Sequence, residues 1–376
     1  MRNRVWLAQC PDYGQSLEEK IERAFDALQV WDKIRPGMRV VLKPNLVMSS
    51  KPEQAIITHP AFTAAVGKCV QKAGGRVIIA ESPGGPYTPA AMKAMFRATG
   101  YRDMAEACGF TLYTDCKSRE VTLPQAKRCR ELSVVEPFLD RDYLIDLPKL
   151  KTHSMVGFSG AVKNLFGTVP GLQKPELHCR FPEREPFSEM LCDLCHFLGP
   201  DLSLMDGIWA MEGNGPTGGQ RRDLHVIAGS ESPWALDVAA ASLVGLEPEK
   251  IAMLREGHER GYGPLDLSEL ELVGDPMETL LVPDFLKAQA SSTDFIDRLP
   301  KFLRPAAKKL ATPYPRIDKK RCVGCGKCAE SCPQHTITLR EGKAVIRYQN
   351  CIRCFCCHEM CPKHVVQIKR LGLLRL

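Results

Sequence analysis

The chain has 376 residues, 44% of them hydrophobic and 25% charged, with a net charge of +7. This is long enough for more than one domain with its own core, in a composition ordinary for globular proteins. The basic residues are scattered and form no aromatic-interleaved stripe, which argues against nucleic-acid binding.

The N-terminus, MRNRVWLAQC, lacks the apolar core of a secretory signal, and no stretch nears the roughly 20 apolar residues of a membrane-spanning helix. A cytoplasmic protein without membrane insertion is expected. In a reducing compartment, 17 cysteines argue for metal ligation rather than disulfides, and nine of them fall in the last 55 residues.

In chain order, Val40-Val41-Leu42 reads as a strand, Pro60 to Lys72 as a helix and Val77 to Ala80 as a second strand. Strands are expected again at Tyr143 to Leu147, Leu202 to Met205 and Leu224 to Ala228. Helices are expected at Pro186 to Phe197 and Pro233 to Val244, the latter capped by Ser232. This alternation predicts a layered α/β domain with a largely parallel sheet over residues 1–283. Residues 284–313 read as a helix and linker, and 314–376 as a small α+β ferredoxin-like domain.

That last region carries the most specific signal. It reads Cys322-x2-Cys325-x2-Cys328-x3-Cys332-Pro333 and then Cys351-x2-Cys354-x2-Cys357-x3-Cys361-Pro362. The spacing is that of bacterial proteins holding two [4Fe–4S] clusters, in which each fourth cysteine serves the other cluster. Three thiolates on a tight loop reach three corners of a cubane, and the distant one supplies the fourth. Cys322, Cys325, Cys328 and Cys361 form one expected set; Cys351, Cys354, Cys357 and Cys332 form the other. Structural zinc competes with a single Cys-x2-Cys but not with this duplicated pattern. Gly324 and Gly326 let the first loop approach its cluster, whereas Arg353 and Phe355 make the second bulkier. Cys356 has no cysteine counterpart in the first half and is expected not to be a ligand. Cys192-x2-Cys195-His196 matches a haem-attachment string, yet lies on an amphipathic helix and reads as core.

In the large domain, Lys149 to Gly171 gathers Lys149, Lys151, His153, Lys163 and Asn164 around Gly157, Ser159 and Gly160. Small residues let backbone amides meet a ligand, and Ala161 to Phe166 resembles a helix start that favours an anion. Lys43 follows one strand and Glu81-Ser82 the next, where α/β sheets present ligand-binding loops. A pocket built around Lys163, with His153 and Lys43 beside it, is the expectation. His59 and the loop Glu212 to Pro216 read equally well as a helix start and a turn. No Walker loop or G-x-G-x-x-G string is present.

The strings VLKPNLV, KTHSMVGFSGAVKNLFGTVPG and MDGIWAMEGNGPTGG resemble the motifs of domain-of-unknown-function family 362, whose members often carry such a cysteine-rich tail. More remotely, His153-x3-Gly157-Phe158-Ser159-Gly160-x2-Lys163 with Pro170-Gly171 is similar to the core of nickel-pincer lactate racemases. That resemblance implies a lysine, here Lys163, carrying a pincer nucleotide, His153 as acid/base and His178 in the place of a metal-binding histidine. Asn164 and the cysteine-rich tail depart from the racemase pattern.

Three functions remain open at this level. One is an oxidoreductase that relays electrons through two [4Fe–4S] clusters to a substrate or cofactor in the α/β domain. The second is an electron carrier or cluster-bearing subunit docking a partner enzyme. The third is a racemase-like enzyme with a nickel or organic cofactor. A redox partner protein or an anionic small molecule is the expected partner.

Overall fold

The computed structural model describes residues 3–171, 173–288 and 313–369. Strands β1 (Arg4–Gln9), β2 (Arg39–Pro44), β3 (Arg76–Ile79), β4 (Thr111–Leu112), β7 (Tyr143–Leu147), β10 (Leu202–Glu212), β11 (Gln220–Ser230) and β12 (Glu271–Gly274) make the spine of a ten-stranded sheet, in the order β12-β1-β11-β10-β7-β2-β3-β4. From β10 through β7, β2 and β3 to β4 every pairing is parallel, whereas β11 runs antiparallel to both its neighbours. The largely parallel α/β layer is therefore present, with an antiparallel insertion at β11. A separate hairpin joins β5 (Ser118–Thr122) to β6 (Glu131–Val135).

Alternation along the strands explains why helices cover both faces. In β2, Val41 enters one core with Phe158, Leu191 and Leu236, while Val40 and Leu42 enter the other with Phe25 and Phe62. Helix Pro60–Lys72 has the bounds the sequence predicts, with His59 as N-cap accepting from the Ala61 amide. Helix Pro233–Leu243 is capped by Ser232, which accepts from the Ala235 amide at 3.2 Å. The expected strands at Leu202 and Leu224 are longer than predicted, because ladder pairing carries β10 and β11 past their apolar stretches to the polar ends Glu212 and Gln220. Cys192 and Cys195 lie fully buried in helix Arg184–Leu198, and burial pushes the Cys192 thiol up to about 12.

Beyond β7 the chain makes β8 (Lys149–His153) and β9 (Gly157–Ser159), an antiparallel hairpin that pairs Lys151 with Ser159 and His153 with Gly157. Gly157 adopts φ +86°, the left-handed backbone this turn requires. The short helix Ala161–Asn164 then begins over Asp237 of helix Pro233–Leu243, whose carboxylate accepts from the amides of Ala161 (2.6 Å) and Val162 (3.0 Å). This corrects the expectation of an anion-binding helix start: the anion is the protein's own side chain.

The C-terminal domain pairs β13 (Tyr314–Ile317) with β16 (Val366–Lys369) and β14 (Ile337–Arg340) with β15 (Lys343–Ile346), all antiparallel. Helices Lys327–Glu330 and Cys356–Glu359 sit at equivalent places in the two halves. The expected linker over 284–313 lies mostly outside the described residues.

A Cβ on Gly160 would fall 2.0 Å from the Asp237 carboxylate. Gly160→Ala should therefore displace the group that holds two amides, costing about 2–3 kcal/mol. The measurement is the urea midpoint; an unshifted midpoint would mean that Asp237 does not fix this turn.

Candidate functional site

Parallel strands bring their carboxyl ends to one edge, and there β2 delivers Lys43, the segment after β3 delivers Glu81, and β7 delivers Asp146. Lys43 is fully buried, its ammonium 2.8 Å from Glu81 and 3.0 Å from the Pro44 carbonyl. Asn164 donates to Asp146 (2.8 Å) and accepts from Asn45 (2.8 Å), and Asn45 in turn accepts from Lys151 (2.7 Å). Gly167 permits this packing, since a Cβ there would lie 2.1 Å from Glu81 and 2.6 Å from the Lys43 ammonium.

Lys43, Asn45, Glu81, Lys151, Asn164 and Gly167 wall a cavity of about 380 Å³, together with Ser159, Lys163, Phe166, Lys174 and His178. Four lysines of the α/β domain thus share one cavity. Lys174 donates to the carbonyl of Ser82, and desolvation lowers its pKa to about 7. Burial likewise lowers Lys151 and Lys163. The Lys163 ammonium has no hydrogen-bond or ion-pair partner among the described residues and lies 6.0 Å from the Phe166 ring. His178 stacks on Phe187 at 4.4 Å; its Nδ1 is buried without a partner among the described residues, and burial lowers the ring to about 4.

The roof of the cavity comes from the C-terminal domain. Lys327, Glu330 and Ser331 of the first half and Cys356, Glu359 and Met360 of the second line it, and these are the same three positions of each copy. Glu359 Oε1 lies 3.2 Å from His153 Nε2, although the pair is not aligned for a hydrogen bond. His153 Nδ1 accepts from the Met155 amide (3.1 Å), so a neutral ring carries its proton on Nε2, facing Glu359. Desolvation and then the charge of Lys163 push His153 down to about 3; His153 and Lys163 in turn hold Glu359 well below the usual carboxylate range, against the opposing effect of its burial.

Docking of the two domains uses close backbone approaches. Met360 Sδ would be 2.9 Å from a Cβ on Gly84, and His358 Cε1 2.4 Å from one on Gly218. His358 Nε2 is 3.1 Å from the Asn214 carbonyl, and Thr217 donates to the Glu359 carbonyl. The loop Glu212 to Pro216 thus belongs to a domain contact.

Of the residues singled out from sequence, Lys43, Lys163, Ser159, Asn164 and His178 line the cavity. His153 stands behind Glu359, while Gly157 and Gly160 shape the chain without lining it. His59 is stacked on Tyr13 at 3.8 Å and also lies outside. Sequence reasoning missed Lys174, Glu359 and Met360. It noted Lys151 and Glu81 without assigning them; the alternation in KLKTH, which puts Lys149, Lys151 and His153 on one strand face, was the available signal.

Two smaller cavities lie in the C-terminal domain. Cys322, Cys325, Cys328 and Cys361 ring one; Cys332, Cys351, Cys354 and Cys357 ring the other, so each fourth cysteine crosses to the opposite set. Amides of Ala344, Thr336 and Val365 donate to the sulfurs of Cys322, Cys332 and Cys361 at 3.3–3.5 Å, as thiolates at a cluster require. The loops share a backbone: Gly324 and Gly326 have φ +67° and +79°, Arg353 and Phe355 +58° and +63°. The residues fit two [4Fe–4S] clusters, which supply one-electron chemistry. Cys356 lines both the second thiol cavity and the large cavity.

Cys361→Ser or Cys332→Ser should each lower iron from about eight to about four per chain in anaerobically prepared protein, whereas Cys356→Ser should keep about eight. Iron and acid-labile sulfide assays check this. Equal iron loss in Cys356→Ser and Cys354→Ser would overturn the ligand sets.

Comparison with known proteins gives matches in two regions of the chain. The family model described as domain of unknown function (DUF362) matches residues 40–242, and a 4Fe–4S dicluster domain matches residues 314–362. A thylakoid-associated protein of Synechocystis is 34% identical over 232 residues, which are 61% of this chain and 70% of that protein. Among solved structures, the lactate racemase apoprotein of Thermoanaerobacterium thermosaccharolyticum aligns with a TM-score of 0.42 at 16% identity, over 64% of this chain and 57% of that one. A protein of Thermotoga maritima aligns with a TM-score of 0.36 at 11% identity, over 61% and 59%. This chain thus spans less than three fifths of either solved chain. Among the described residues, no helix is long and apolar enough to cross a membrane. The chain belongs to the DUF362 family and carries a two-cluster 4Fe–4S domain behind the family's α/β domain.

Proposed function

We propose that this protein is an iron–sulfur oxidoreductase, acting in the cytoplasm, that passes electrons between the second thiol set and an anionic molecule bound in the large cavity. The observation that carries this reading is Cys356, whose side chain belongs to the wall of both cavities. A cluster held by Cys354 and Cys357 is then separated from the cavity by a single side-chain layer.

The cavity's charge supports an anionic occupant. Of the four lysines that the α/β domain contributes, only Lys43 has a carboxylate within hydrogen-bond distance among the described residues; Lys151 and Lys174 donate to neutral oxygens. Val47, Pro86, Phe166, Pro175 and Met360 give the rest of the wall an apolar character suited to a carbon skeleton or a flat ring. Lys163 is the residue we assign to hold the anionic group. His153, neutral with its proton on Nε2, is placed to orient the Glu359 carboxylate over the cavity.

The test is to prepare the protein anaerobically, extract small molecules for mass spectrometry, and measure binding of what is recovered. Lys163→Ala should fold, keep its iron and weaken that binding at least about tenfold, the loss of one charge-assisted contact. Unchanged binding would refute the assignment of the cavity.

Affinity should also depend on pH through Lys174. With a pKa near 7, its ammonium is charged below that value and neutral above it. Anion binding should therefore strengthen as pH falls from about 8 to 6, and Lys174→Met should flatten the profile. A wild-type profile that is flat or rises with pH would contradict this.

A further inference from the structure

We infer that the face of the C-terminal domain around Cys325 docks an acidic one-electron carrier protein. The two thiol sets differ in exposure. Cys332, Cys354 and Cys357 are buried and Cys351 is half-buried, whereas Cys325 of the first set is exposed. Its neighbour Val323 is 58% exposed, and Leu339, which packs beside Gly326, is 48% exposed. Two large apolar side chains thus stand in water next to the most accessible ligand.

Around them basic side chains predominate. Lys320 and Arg321 precede Cys322 and are exposed; Lys363 lines the first thiol cavity from the other side. The β14–β15 turn packs on the ligand loop, with the Gly342 carbonyl 2.2 Å from where a Cβ on Gly324 would be, and this brings up Arg340 and Lys343. Lys343 donates to the Cys322 carbonyl. The nearby carboxylates are Glu341 and Asp318, and Asp318 is engaged by the amides of Lys320 and Arg321. An apolar centre with a basic rim complements a carrier whose own redox centre lies in an acidic rim, and such complementarity raises association rates by about 10- to 1,000-fold at low salt. Cys322, Cys325, Cys328 and Cys361 would hold the centre at this face, which would accept the one electron by which the reduced carrier is oxidised.

The experiment uses the cluster-loaded full chain with a reduced acidic flavodoxin as probe. Stopped-flow bleaching of the clusters gives the bimolecular rate, and titration of the oxidised proteins gives the dissociation constant. The variant Lys320→Glu/Arg340→Glu/Lys363→Glu should lower the rate and the affinity at least about tenfold at low ionic strength and lose their fall with added salt. Reduction by photoreduced deazaflavin, which needs no docking, should be unchanged. A control with equal charge change on the large domain, Lys93→Glu/Arg97→Glu/Lys117→Glu, should react like wild type. Equal rates and affinities for both triple variants, or no salt dependence in wild type, would overturn the proposal. Because the clusters bleach whether or not the large cavity is occupied, this outcome is independent of the cavity's ligand.

Discussion

Burying lysine is the constraint on which the rest of this structure depends. Four ammonium groups of the α/β domain face one cavity, and the cost of desolvating each must be met by hydrogen bonds or opposite charge. Among the described residues of the α/β domain only Glu81 answers directly, at 2.8 Å from Lys43, and that carboxylate is itself held by the amides of Leu46 and Ser82. Asn45 serves Lys151 without adding charge. The deficit falls on Lys163, and a carboxylate of the cysteine-rich domain, Glu359, reaches in. Domain docking is thus part of the cavity's electrostatics. It also explains why Gly84 and Gly218 carry no side chain: Met360 and His358, which flank Glu359 in the chain, occupy that space.

The same constraint separates the two halves of the cysteine-rich domain. Both ligand loops require two residues of positive φ. The first meets this with Gly324 and Gly326, at little steric cost. The second uses Arg353 and Phe355, and a left-handed non-glycine residue costs about 1–2 kcal/mol. Phe355 is buried at 5% exposure, so packing offsets the strain at that position. A duplicated unit therefore keeps one backbone while its copies serve different surroundings. The glycine copy places its ligand Cys325 against solvent, and the bulkier copy turns its helix against the larger domain.

Much of this was legible in the sequence because the governing patterns are local. The strand at Tyr143–Leu147 and the helix at Pro60–Lys72 are set by runs of β-branched and apolar residues and by a proline at the first helical position. Cross-ligation by Cys332 and Cys361 follows from spacing alone. What failed was the inference from a local motif to a ligand. The amides after Gly160 look available in sequence, but Asp237 takes them from 76 residues away. Lys174 was invisible for a different reason: nothing in QKPELHCR separates a lysine that folds back onto Ser82 from one in water.

Glu359 is the instructive case, because its position was recoverable. Aligning the two halves on their cysteines sets Lys327, Glu330 and Ser331 against Cys356, Glu359 and Met360. Each triplet lies on the helix that follows a ligand loop, and both helices roof the cavity. In the first copy Lys327 and Glu330 lie 2.9 Å apart and both are exposed, a pair that neutralises itself at the cavity's edge. In the second the lysine has become Cys356, so Glu359 has no cation within its own helix and its charge is directed at His153 and Lys163. Loss of the internal lysine in one copy of a duplicated motif is therefore the mark of a carboxylate committed to a neighbouring domain, and the same exchange puts a thiol at the wall between the two cavities.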